Sequence, residues 1–203
     1  MSHPGWPATT SHERVGLRPL HRSDVQAWRE IRLANEDWLL RWEPSSPQSW
    51  AERNSRAAFH AMHRSLSRQA RDGQSLPFAI TYDGALAGQI TIGNVVRGSF
   101  QSGYAGYWVD GRLAGRGIMP TALALAVDHA FGPAMLHRIE VNIRPENVAS
   151  RRVVEKLGFR EEGFAKRFLY IDGAWRDHIC FALTKEDVPR GLLNRWLSVR
   201  HTG

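Results

Sequence analysis

Arg112, Gly115 and Gly117 stand in the pattern Arg-x-x-Gly-x-Gly, directly ahead of the apolar run from Ile118 to Phe131. Glycines at these places let the backbone turn sharply and bring its amides close to a ligand. The start of a following helix adds unsatisfied N–H groups and a partial positive charge, which together form an anion site. Pro120 fits the first helical turn, where its missing N–H is not needed. A Walker loop is excluded, because Gly117 is followed by Ile118 and Met119 rather than Lys and Ser or Thr. A dinucleotide loop is a poor fit, because Pro120 stands where its third glycine belongs. Two glycines alone also suit a connection that binds nothing, so the elements around them must decide.

Those elements can be read along the chain. The apolar alternation in "RVGLRPL" predicts a first strand over Arg14 to Leu20. Two charged helical stretches follow, separated by the loop from Glu43 to Trp50, and Gly73 ends the second. Beyond it the period shortens. Strands flank Asp83-Gly84, and "SGYAGYWVD" gives another. Then come the helix after the glycine loop, the strand "HRIEVNIRP", a helix ending at Gly158, and two strands around Asp172-Gly173. Helices and strands alternate only in the second half. The expected fold class is therefore mixed α/β, with a sheet of about seven strands flanked by helices. Residues 1–13 read as a loose lead-in, 14–185 as one domain and 186–203 as a tail with one short helix.

The chain has 203 residues and a net charge of +7. That balance suits an anionic ligand, and the arginines are spread rather than gathered in a tail, so no direct nucleic-acid readout is expected. No apolar run is long enough to span a membrane, and the N-terminus lacks a secretory stretch. One cysteine, Cys180, allows no internal disulfide and reads as buried core. Cytoplasmic residence, as a monomer or homodimer, is the expectation. His60 and His63 read as a solvated face rather than a metal site, and no metal is expected.

The glycine loop, its helix and the segment "HRIEVNIRPENVASRRVVEKLGF" together resemble the GNAT acyltransferase superfamily. "NVVRGSF" (94–100), "RWEP" (41–44), "ENVASRR" and "EEGFAKRFLYIDGAWRDH" (161–178) are similar to one branch, the ribosomal-protein alanine N-acetyltransferases of the RimJ/RimL type, RimJ especially. The resemblance spans most of the chain and implies the GNAT fold with acetyl-CoA as cosubstrate. It places the pyrophosphate of coenzyme A on the loop of Arg112, Ala114, Gly115, Arg116, Gly117 and Ile118. It places the pantetheine arm along Tyr107, Trp108 and Val109, with Asn147 and Ser150 beside it. The acceptor it implies is the N-terminal amine of a protein, with a ribosomal protein or the ribosome as the partner.

Acetyl transfer from a thioester needs a neutral amine, proximity, stabilisation of the oxyanion and a proton for the leaving thiolate. An α-amine has a pKa of about 7.7–8.0, against about 10.4 for lysine. Its neutral form costs roughly 1 kcal/mol at pH 7, against over ~4 for lysine, so a strong base is not required. By the resemblance Ser150 is the candidate proton donor; Val154 stands where many GNAT enzymes carry a tyrosine. An ordinary first-turn serine is the alternative, as a helix cap is for Asn147. Glu43 is taken as base or ammonium contact ahead of Glu140, whose alternation with Ile139 and Val141 also suits a solvated strand position. Leu169 stands where the RimL type has its glutamate. Trp42, Tyr170 and Asp172 are the expected acceptor contacts. Two other readings stay open: acetylation of a small amine such as a polyamine or drug, and a non-catalytic acyl-CoA-binding or ribosome-associated module.

Overall fold

A computed structural model describes residues 4–201. The frame is one sheet of eight strands in the order β1-β2-β3-β4-β5-β6-β8-β7. The strands are β1 (Thr10–His12), β2 (Val15–Pro19), β3 (Leu76–Tyr82), β4 (Ala85–Val96), β5 (Ser102–Val109), β6 (Arg138–Ile143), β7 (Arg160–Ile171) and β8 (Ala174–Thr184). All neighbours are antiparallel except β5 and β6. The helices are α1 (Val25–Ala34), α2 (Glu36–Leu39), α3 (Trp50–Arg53), α4 (Arg56–Arg71), α5 (Ile118–Phe131), α6 (Val148–Lys156) and α7 (Leu192–His201).

The strand missing from the sequence reading is β1, inside the expected lead-in. It is too short to show alternation, and it pairs with β2. Nearby, Trp6 packs edge-on against Phe78 with ring centroids 5.2 Å apart. The expected helix of the tail is α7. Asp128 of α5 accepts hydrogen bonds from the N–H groups of Leu192 and Leu193 and so caps α7. Trp196 is buried and donates through its indole N–H to Thr121 Oγ1 at 2.9 Å. The tail is thus docked on α5.

Helix α5 is apolar all round and buried along nearly its whole length, as expected of a helix inside a core. It lies on one face of the sheet among Leu17, Phe78, Ile90, Ile139 and Phe181. Helices α1 and α4 cover the other face at β2 to β4, where Trp28 and Phe59 pack on Ala79. Strand β6 alternates strictly: Ile139, Val141 and Ile143 face α5, while Arg138, Glu140 and Asn142 face away.

One backbone approach fixes the site strand. A β-carbon added at Gly88 of β4 would lie 2.3 Å from the carbonyl oxygen of Trp108 in β5. No side chain fits there without moving β5. Gly88→Ala is expected to destabilise the fold by about 1–3 kcal/mol, as overpacking does, in a denaturant titration.

Candidate active site

Strands β5 and β6 run parallel and pair only from Ser102 with Arg138 to Tyr104 with Glu140. Beyond that point β5 continues to Val109 and β6 to Ile143 without pairing, so the sheet opens into a V. Asp110 donates its N–H to Ala87 on the β4 side. By strand alternation the backbone groups of Val109 and Tyr107 point the other way, into the opening. The Val109 carbonyl there accepts a hydrogen bond from the Trp38 indole N–H at 3.2 Å.

The opening is part of a cleft of about 810 Å³. Its walls are the end of β5, the glycine loop, the start of α6 and the segment 37–44. Gly115 and Gly117 have φ values of +81° and +75°, which disfavour any side chain. No side chain caps α5 at Gly117, so its first N–H groups face the cleft without an intrahelical partner. An open strand edge leading to an uncapped helix N-terminus fits the amide-rich arm and pyrophosphate of coenzyme A.

The loop itself is organised by Asp110, which the sequence reading missed. Its buried carboxylate accepts from the backbone N–H of Arg112, the Arg112 guanidinium and Asn35 Nδ2. Asn35 Oδ1 in turn accepts from the Gly111 N–H. Burial pushes the Asp110 carboxyl up, but the hydrogen bonds from Arg112 and Asn35 outweigh it and hold the group below the ordinary carboxylate range. A depressed folded pKa stabilises the fold above the unfolded value and loses that contribution as pH falls through the folded one. Asp110→Asn is therefore expected to flatten the acid limb of the Tm-against-pH curve below about pH 4.

The expected residues divide on placement. Tyr107, Trp108, Val109, Ala114, Gly115, Gly117, Ile118, Asn147 and Ser150 line the cleft, as do Trp42 and Glu43. Arg112 is not among the lining residues; its guanidinium turns back to Asp110. Arg116 is exposed and outside the lining. Tyr170 and Asp172 lie on the β7–β8 hairpin, outside the lining but joined to its edge. Pro44 pairs with Ile171, and the Ser45 N–H donates to the Tyr170 carbonyl at 3.0 Å. The Asp172 carboxylate accepts from Arg176 at 3.1 Å.

The two carboxylates taken as bases are both engaged. Glu140 lies outside the lining and accepts from Arg138 Nε at 2.8 Å. It is a strand-face ion pair, as its alternation allowed. Glu43 lines the cleft, but its oxygens accept from both terminal nitrogens of Arg32 and, at 3.0 Å, from Arg53. Arg32 is 5% exposed, its guanidinium 5.3, 4.6 and 5.2 Å from the rings of Trp28, Trp50 and Trp108. It also donates to Asn54 Oδ1 at 2.8 Å. Trp50 is thus core, whereas Trp38 and Trp42 line the cleft. Cys180 is half-buried, on the sheet face opposite Ile179 and Phe181, rather than in the core. Burial and the nearby Glu140 push its thiol up, away from a thiolate nucleophile.

Asn147 is the cap of α6, accepting from the Ser150 N–H at 3.1 Å. The Ser150 hydroxyl is left free of that cap and lies 2.9 Å from the Tyr107 hydroxyl. Val154 is fully buried core. A tyrosine hydroxyl therefore reaches the serine from β5, not from the next turn of α6. Burial pushes the Tyr107 phenol well above its ordinary range, outweighing the Ser150 hydrogen bond that lowers it. Tyr107 stays protonated at working pH.

The family model "Acetyltransferase (GNAT) domain" matches residues 14–160. The chain is 34% identical over 183 residues to the [Ribosomal protein uS5]-alanine N-acetyltransferase of Escherichia coli, covering 88% of this chain and 92% of that protein. It is 41% identical over 105 residues to the probable N-acetyltransferase YjcK of Bacillus subtilis, about half of this chain (52%) and 58% of that protein. Among solved structures, Mycobacterium smegmatis RimJ in complex with CoA-disulfide superposes with a TM-score of 0.95 at 44% identity, covering 98% of this chain and 97% of that one. By family model and by relatives spanning nearly its whole length, the chain belongs to the GNAT acetyltransferases, as an acetyl-CoA-dependent N-acetyltransferase.

Proposed function

We propose that this enzyme acetylates the N-terminal α-amine of a ribosomal protein, in the cytoplasm. The observation that carries the reading is the similarity over 88% of the chain to a uS5-alanine N-acetyltransferase. The cleft supports it, because the segment 37–44, which is paired through Pro44 to the β7–β8 hairpin, lines it opposite the glycine loop.

The chain's own residues have the following parts. The N–H groups of Gly115, Gly117 and Ile118 hold the pyrophosphate, and the free edge of Tyr107 to Val109 aligns the pantetheine arm. Acetyl-CoA supplies the activated acetyl group. The Val109 N–H polarises the thioester carbonyl. The amine nitrogen bonds to the carbonyl carbon as the carbon–sulfur bond breaks. The amine gives up one proton to water, and the Ser150 hydroxyl hydrogen-bonds the thiolate or passes it a proton that water then replaces. About three of the four lone-pair positions on Glu43 are taken by Arg32 and Arg53, and the remaining one orients the incoming amine. Glu43 is then an anchor of the acceptor roof rather than a base. Tyr170 and Asp172 border the entry path of the peptide.

Thiol release from acetyl-CoA should be measured with peptides bearing free Ala or Ser N-termini, beside spermidine. Turnover with the peptides and little with spermidine is expected. The reverse preference would favour a small-amine enzyme, and no turnover with acetyl-CoA binding intact would favour a non-catalytic module.

A further inference from the structure

Helix α4 carries the sequence RAAFHAMHRSLSRQAR, without one acidic residue. Arg64, Arg68 and Arg71 recur at helical spacing and are exposed, so they form a stripe on its outer face. Together with Arg22, His60 and His63 they line a groove of about 560 Å³. Among the described residues, the side chains of Arg22, Arg64, Arg68 and Arg71 have no hydrogen-bond or ion-pair partner. Several other arginines are matched: Arg14 with Asp83, Arg18 with Asp24, Arg138 with Glu162, Arg160 with Asp187. The stripe is therefore a concentrated, uncompensated positive field within a chain of net charge +7.

The apolar side of α4 is already used. Phe59 and Ala70 are buried, and Met62 packs with Trp28 and Leu20. No apolar side chain larger than alanine lines the groove. A helix that lies on a membrane needs an apolar face to insert, and this one has spent its own on the core. Arginine, with its planar fork of donors, matches phosphate oxygens. The stripe is on the helix that follows the acceptor side along the chain. Helix α4 starts three residues after Arg53, one of the two arginines on Glu43. At a rise of about 1.5 Å per residue, Arg64 lies roughly 12 Å along the axis from Arg56.

We infer that the outer face of α4 is a docking surface for the phosphate backbone of RNA. The choice of RNA rests on the proposed ribosomal-protein acceptor, which is presented amid RNA. The contact reads charge and not sequence. It holds the ribosome against the enzyme while a protein N-terminus enters the cleft.

The test uses the full chain and a fluorescent RNA duplex of arbitrary sequence, with binding read by anisotropy across a salt series. Each phosphate contact adds about 0.7–0.9 to the slope of log K against log salt, so three arginines give a slope of roughly −2 to −3. Changing Arg64, Arg68 and Arg71 together to Gln is expected to remove most of that slope and weaken binding about 30-fold or more. The triple Lys variant, which keeps the charge, should retain most of the affinity. Acetylation of a short peptide should be unchanged in both, since no residue of the stripe touches the cleft. Equal RNA binding by the Gln variant overturns the inference. So does stripe-dependent binding to vesicles of anionic phospholipid with none to RNA. Stripe-dependent RNA binding without any peptide acetylation by the parent supports the surface while overturning the ribosomal reading.

Discussion

An Arg32→Met protein is expected to melt roughly 6–12 °C below the parent and to lose most of its affinity for acceptor peptide. The reasoning starts from burial. Arg32 is almost fully removed from water, and its charge is balanced by Glu43 and held by Asn54 among three indoles. Removing one partner of a buried pair costs about 3–5 kcal/mol, and because Glu43 is part-exposed and keeps Arg53 as a partner, the low end, about 3 kcal/mol, is expected. For a chain of this size each kcal/mol moves Tm by about 2–4 °C. The effect on substrate follows from geometry. Arg32 is on α1 and Glu43 on the acceptor roof, so the pair ties the roof to the helix layer. With Arg53 alone the roof loosens, and KM for peptide should rise more than KM for acetyl-CoA. A melting temperature within about 3 °C of the parent would show that the indole cage holds methionine as well as the ion.

The second large effect is expected at Ser150. Ser150→Ala should lower kcat by about 10²-fold, the low end of what a positioned proton donor contributes. The helix should not suffer, because Asn147 caps α6 through the Ser150 backbone N–H, which alanine retains. Tyr107 is a positioning residue in this account. It is protonated and 2.9 Å from the serine oxygen, and in the arrangement where it donates there the serine proton is left free for sulfur. Tyr107→Phe should lower kcat by about 10-fold with little change in KM. The double variant should be no slower than Ser150→Ala alone, since the tyrosine acts only through the serine. Additive losses, measured by thiol release at saturating acetyl-CoA, would assign the two hydroxyls separate roles.

What the sequence made legible was local. The hairpins at Asp83-Gly84 and Asp172-Gly173, the apolar α5 and the glycine loop each announce themselves within a few residues. The observed φ of +51° at Asp83 and +52° at Asp172 is what those turns require. The cofactor side of the cleft was legible for the same reason, because loop, strand end and helix start are contiguous. The acceptor side was not. Arg32 meets Glu43, Trp50 and Trp108 only through tertiary packing, and a helical stripe that includes an arginine carries no sign of such a cage. Tyr107 and Ser150 are 43 positions apart, and nothing in either segment marks the contact. Glu140 is the reverse case. Its strand position shows in the alternation, but the ion pair with Arg138 and its place outside the residues lining the cleft do not. Strand β1 was missed because three residues cannot display a period.

The central claim is transfer to an α-amine at a protein N-terminus. It is tested most directly by incubating the enzyme with radiolabelled acetyl-CoA and unacetylated ribosomal proteins, then locating the label by fragmentation mass spectrometry. The account predicts label on the first residue of one or a few proteins, with lysine side chains unmodified. Label on lysines, or on none of the proteins while peptides and spermidine are equally inert, would contradict it.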